Sequence, residues 1–297
     1  MKNNSEKLLL IISIIFIILG VGIFLYPSIS NYLAEKNHID IIRNYDDLIV
    51  KIDEEKINEE KEKAKIYNEN LSGDPVHDPF VIGSGYALPE NYKEVLNIAG
   101  DSVMGYVEIP KISVYLPIYH GTSDEVLEKG VGHIQNTSVP IGGKSAHSVL
   151  TGHTGLPNAE LFTRLDELGI GDIFYIHVLD DVLTYKVFET KVILPDKIDE
   201  LQILNGKDYI TLVTCTPYGV NSHRLLVKAE RVEYEEYSVT KSTTDEEGTD
   251  TKKESSSKHY YLTGTQIGIV LLVLILTIVS IIGISIRRKK NLYKIKK

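Results

Sequence analysis

Residues 211–227 read TLVTCTPYGVNSHRLLV. Two runs of β-branched and aliphatic residues flank a Pro-Tyr-Gly turn, the pattern of two strands joined by a loop. The spacing predicts strands over residues 209–215 and 225–227. Cys215 then ends one strand and Arg224 opens the next, with eight residues between them. If the two strands pair, both side chains reach one end of the same sheet.

Outward from this hairpin the pattern stays β. Residues 105–110 and 114–119 read as paired strands around a Pro-Lys turn, and residues 148–152 as a short apolar strand running into His153. A second hairpin is expected over residues 173–179 and 182–194, turning at Asp180 and Asp181. Two short helices are expected, at 122–129 from its N-cap and first-turn acid, and at 158–168 from Leu161, Leu165 and Leu168 on one face. Many short strands, few helices and steady turn punctuation predict a closed barrel or a sandwich over about residues 75–235.

The ends of the chain are of another kind. Residues 8–26 and 267–286 are uncharged and apolar. A hydrocarbon core of about 30 Å needs roughly 20 helical residues, so each is long enough to span it. Lys2 and Lys7 precede the first stretch and a basic tail from Arg287 to Lys297 follows the second. Positive flanks stay cytoplasmic, which predicts a two-pass protein with both termini inside and the middle on the extracellular face. A cleaved signal peptide is the alternative for the first stretch, but its apolar run is long for one and no Ala-x-Ala site follows. The segmentation is then a cytoplasmic N-terminus and membrane helix at 1–30, a charged helical linker at 31–74, and the β domain at 75–235. A disordered polar tether at 236–264 and a membrane helix with basic tail at 265–297 complete it. The linker either holds the domain off the membrane or packs along its side.

The net charge of −9 includes that basic tail, so the external part is more acidic than the total. This argues against nucleic acid as a partner. Tyrosine, at 18 residues, carries most of the aromatic content and there is no tryptophan.

Cys215 is the chain's one cysteine. A lone cysteine can be an inert core residue. An exoplasmic thiol with no disulfide partner, in a polar Thr-Cys-Thr-Pro setting, points instead to nucleophilic chemistry. A thiol nucleophile needs a base or cation beside it and donors for the oxyanion. His153, among the small residues of LTGHTG, is the best imidazole, though it could be an ordinary turn histidine; His120, His133, His147 and His223 compete from expected loops. Arg224 offers fixed donors or, on the bland reading, a strand-end ion pair. No spacing matches a metal site, and no cofactor is implied.

The stretch 211–227 resembles the active-site strand and loop of sortases, and its TCTPYG and HRLLV runs resemble the class C, pilus-assembling branch. Thr151-Gly152-His153 is similar to the segment that bears the family's catalytic histidine. The resemblance covers about residues 75–235. It implies a mainly β fold, a closed eight-stranded barrel flanked here by two transmembrane helices, and a membrane-anchored cysteine transpeptidase with His153, Cys215 and Arg224 as its triad. The implied partners are an LPXTG-like sorting signal on a pilin or surface protein and an amine acceptor, a pilin lysine or a cell-wall peptide. Class C sortases tend to carry a lid with an Asp-Pro-aromatic motif; Asp78-Pro79-Phe80 matches it, with Asp78 expected on Arg224 and Phe80 over Cys215. A second membrane helix also suits that branch. The alternatives are a housekeeping sortase acting on cell-wall peptide and a non-catalytic membrane-anchored scaffold.

Overall fold

The computed structural model describes residues 2–71 and 91–233. The expected lid residues Asp78, Pro79 and Phe80, the polar segment 236–264 and the second apolar stretch 267–286 lie outside them. The chain divides into two units at Tyr32/Leu33. The first contains the N-terminal part of helix α1 (Lys2–Lys51). Many of its apolar side chains are exposed, Phe16 and Ile23 at 70% and 75%. It is the one helix among the described residues long and apolar enough to cross a membrane. A helix this apolar and this exposed suits lipid and not water.

The second unit is a barrel with two helices docked on it. Its strands are β1 (Val103–Ile109), β2 (Val114–His120), β3 (Val131–His133), β4 (Ala146–Thr151), β5 (Ile173–Val178), β6 (Asp181–Ile193), β7 (Asp208–Thr216) and β8 (His223–Val232). They close in the order β1-β2-β3-β4-β7-β8-β6-β5, with β2 parallel to β3, β4 parallel to β7 and every other pair antiparallel. The fold is therefore mainly β and the closed barrel is the correct branch of the barrel-or-sandwich expectation. Closure leaves no free sheet edge.

Closure depends on one glycine. β1 meets β5 from Tyr106 opposite His177, just past an irregularity at Val103/Gly105. A Cβ on Gly105 would lie 2.2 Å from the His177 carbonyl oxygen. Only a residue without a side chain lets the two backbones approach this closely.

The charged linker packs along the barrel's side. His38, Ile42, Tyr45 and Ile49 form one buried face of α1, and Ile57, Glu60, Ala64 and Tyr67 one of α2 (Glu54–Glu69). Tyr45 Oη donates to Met104 O (3.1 Å) and accepts from Leu179 N (2.8 Å). Asn68 exchanges two hydrogen bonds with the Val139 backbone, at 3.1 and 2.8 Å. The exposed charges of both helices are the solvated faces that amphipathic helices keep.

Helix α3 (Asp124–Lys129) forms where expected, with Ser123 as N-cap. The helix expected at 158–168 does not form. Leu161 adopts a left-handed φ of 39°, and only a short 3-10 turn, Leu165–Glu167, follows. Leu161, Leu165 and Leu168 are all buried, so their spacing reports a loop folded onto the core and not a helix face. The second hairpin turns at Leu179 and Asp180, since Val178 already pairs with Asp181. The three-residue strand β3 was too short to show in the sequence pattern.

Gly105→Ala is expected to destabilise the protein by roughly 1–3 kcal/mol or more, several degrees in thermal unfolding. Gly169→Ala, whose nearest other atom is 3.9 Å away, is the control and should unfold at nearly the wild-type temperature.

Candidate active site

Cys215, next to last in β7, pairs directly with Arg224, second in β8. Directly opposed residues of an antiparallel pair project to the same face, with Cβ atoms about 4.5–5.5 Å apart. Val213 and Leu226, one pair earlier on that face, belong to a small apolar cluster with Ile134, Val149 and Leu201, separate from the main core. Cys215 and Arg224 therefore continue a row whose apolar floor is already built. Both are buried, at 8% and 6% exposure. Arg224 Nη1 donates to the carbonyls of Asn221 and His223, each at 3.1 Å, so the connecting loop holds the guanidinium. That loop is turned by the N–H groups of Val220 and Asn221, which donate to Pro217 O.

His153 arrives from the neighbouring strand. β4 runs parallel to β7 with Thr151 against Val213. The contact continues one residue further: Gly152 N donates to Val213 O (3.2 Å) and Thr214 Oγ1 to Gly152 O (2.8 Å). His153 is the next residue and leaves the sheet level with Cys215. Its turn rests on Phe162, whose N–H donates to His153 O at 3.1 Å. A Cβ on Gly152 would meet the fully buried Phe162 ring at 2.9 Å. On the other side the Tyr218 ring lies over Gly155, where a Cβ would sit 2.9 Å from it. The glycines flanking His153 thus let one aromatic ring support the turn from below and another join it to the loop after Cys215.

Burial pulls the half-buried His153 imidazole below its ordinary pKa, against a smaller upward pull from the carboxylates of Asp124 and Glu128. The competing histidines stand in strands, not loops, and their rings bond to the fold. His133, fully buried, bonds Ser138 O through Nε2 (2.8 Å) and the Tyr92 hydroxyl through Nδ1 (2.9 Å); burial pushes its pKa down to about 3. His120 lies between the carbonyls of Ser102 and Val95, and His147 between Gln202 O and Thr211 Oγ1. His223 opens β8 and its Nδ1 contacts Ser222 Oγ at 2.9 Å. Among the described residues no group of three or more His, Cys, Asp or Glu side chains is placed to hold a metal ion.

The site thus brings a thiol and a guanidinium onto one face and an imidazole to the same level. A thiol is a nucleophile as thiolate, an imidazole can pass protons, and guanidinium N–H groups can take up an oxyanion. Phe162, Tyr218, Asp124 and Glu128 are neighbours that the sequence reading missed. The paired glycines around His153 were the one local sign that rings approach there.

The Sortase domain family model matches residues 107–232. Sortase C of Streptococcus pneumoniae, described for catalysis and pilin substrate specificity, superposes with a TM-score of 0.61 at 40% identity, covering 66% of this chain and 97% of that one. The pilus-related sortase C of Group B Streptococcus gives 0.60 at 40% identity, over 65% and 97%. Sortase D of Bacillus subtilis is 33% identical over 131 residues, 43% of this chain and 63% of that protein.

Gly152→Ala should cost about 1–3 kcal/mol by forcing the buried Phe162 ring, and adding Phe162→Leu should recover part of that in thermal unfolding. An unchanged unfolding temperature in Gly152→Ala would show that the ring does not support the turn.

Proposed function

We propose, for a chain that belongs to the sortase family of cysteine transpeptidases and resembles its class C members in structure, that it polymerises pilins at the membrane surface. The observation that carries this reading is the Cys215–Arg224 cross-strand pair with His153 level beside it. In the proposed reaction the Cys215 thiolate attacks the Thr carbonyl carbon of an LPXTG-like signal. Arg224 N–H groups take up the oxyanion. The intermediate collapses with cleavage of the Thr–Gly C–N bond, and protonated His153 gives its proton to the departing amine. The thioacyl enzyme is then attacked by an amine, which we assign to a pilin lysine. That step forms an isopeptide bond, returns the proton to His153 and releases Cys215.

The apolar part of α1 suits a membrane anchor. The proposal extends this to a two-pass arrangement through residues 267–286, with the catalytic unit outside and both termini in the cytoplasm. Asp78, Pro79 and Phe80 are assigned as a lid over the site.

Incubating the full chain in detergent with an LPXTG-type peptide and competing amines tests the acceptor. The proposal predicts an isopeptide product with a lysine-bearing pilin peptide in excess over a short glycine peptide. Preference for the glycine peptide would identify a housekeeping enzyme, and water-cleaved product alone a hydrolase. For the lid, Asp78→Ala with Phe80→Ala should speed alkylation of Cys215 by a small reagent several-fold; unchanged labelling kinetics would remove it.

A further inference from the structure

His153 lies two residues past the end of β4, so the place of its ring depends on how the turn after it is fastened. Gly152 is bonded to β7 through both its N–H and its carbonyl. Beyond it, Phe162 N donates to His153 O (3.1 Å) and Gly155 N to Thr163 Oγ1 (3.0 Å). Those two bonds close the loop 153–163 on itself. They set its shape, not its distance from the loop that follows Cys215.

Tyr218 bridges that distance. Its ring sits against Gly155, where a Cβ would lie 2.9 Å from Cε2, 3.2 Å from Cζ and 3.4 Å from Cδ2. Gly155 is left-handed, with φ 74°, and the side chain it lacks leaves the space that the ring fills. Tyr218 itself stands inside a closed turn, since Val220 N and Asn221 N both donate to Pro217 O, at 3.1 and 2.9 Å. Asn221, at the far end of that turn, accepts from Arg224 Nη1 at 3.1 Å. One ring therefore joins the turn that presents His153 to the loop that holds Arg224. The same ring is 70% exposed. So little burial contributes little to folding stability, and placement can be told apart from folding.

We propose that Tyr218 is a positioning residue whose ring braces the His153 turn against the 217–221 loop. The brace sets the imidazole and the guanidinium relative to one another on either side of Cys215, as the strand order β4-β7-β8 arranges them. The inference rests on the catalytic reading of His153 and Arg224. In that reading the imidazole must reach the departing amine while the guanidinium reaches the oxyanion on the same carbon. Groups carried by two separate loops meet that demand only while the loops keep their spacing. Misplacement by about 1 Å can cost as much as roughly 10²-fold in rate. The atoms against Gly155 are ring carbons, so the brace needs the ring and not the hydroxyl.

The test compares Tyr218→Ala with Tyr218→Phe in the full chain in detergent. Tyr218→Ala should unfold at nearly the wild-type temperature. With an LPXTG-type peptide and a lysine-bearing pilin peptide, its kcat should fall about tenfold or more while KM stays close to wild type. Tyr218→Phe should restore kcat. Amide hydrogen exchange, read by mass spectrometry without substrate, should be several-fold faster over residues 153–163 in Tyr218→Ala and should return to the wild-type rate in Tyr218→Phe. A wild-type kcat in Tyr218→Ala overturns the proposal, and so does a rise in KM alone, which would make the ring a substrate contact. A Tyr218→Phe variant as slow as Tyr218→Ala overturns it as well. Unchanged exchange in Tyr218→Ala overturns it whatever turnover does. A wild-type chain that forms no thioacyl product would instead sink the catalytic reading, and the exchange comparison would still decide whether the ring braces the turn.

Discussion

The register of β7 against β8 is the constraint on which the site depends. Eight residue pairs fix it, from Tyr209 opposite Glu230 to Thr216 opposite His223. A slip of one residue would turn every side chain of one strand to the other face. Arg224 would then face the main core, an uncompensated charge among apolar side chains, and Cys215 would lose its partner. Burial forbids that slip, because Ile210, Leu212, Val227 and Ala229 fill the main core while Val213 and Leu226 fill the smaller cluster. Packing on two faces thus sets the chemistry at one end.

The neighbouring strand adds the third group by the same logic. β4 is parallel to β7, so its carboxyl end and that of β7 emerge together, and the chain reaches His153 as it leaves the sheet. Thr214 Oγ1 on Gly152 O is a buried hydrogen bond, worth about 1 kcal/mol, placed between the two candidate catalytic positions. Far from the site, the close approach of β1 and β5 at Gly105 closes the barrel, and α1 and α2 cover the main core from outside.

Much of this was legible in the chain. The period-two runs gave both hairpins, the glycine and proline punctuation gave the loops, and Thr-Cys-Thr-Pro with Arg224 marked the end of the barrel where chemistry could sit. What was not legible depends on contacts distant in sequence. The leucines at 161, 165 and 168 mimic a helix because a loop folded over a core also buries every third or fourth residue. His133 and His147 read as loop histidines because nothing local reveals their partners, Tyr92 and Thr211. The role of Gly152 needed the position of Phe162, ten residues on but touching it only in three dimensions.

The proposed chemistry requires Cys215 to form a thioacyl bond. Intact-mass spectrometry of the full chain mixed with an LPXTG-type peptide tests this most directly, in the wild type and in the Asp78→Ala/Phe80→Ala variant. The expected result is a mass gain equal to the acyl-Thr fragment of the peptide, mapped to Cys215 and absent from Cys215→Ala. No adduct in either the wild type or the lid variant, or an adduct that persists in Cys215→Ala, would contradict it.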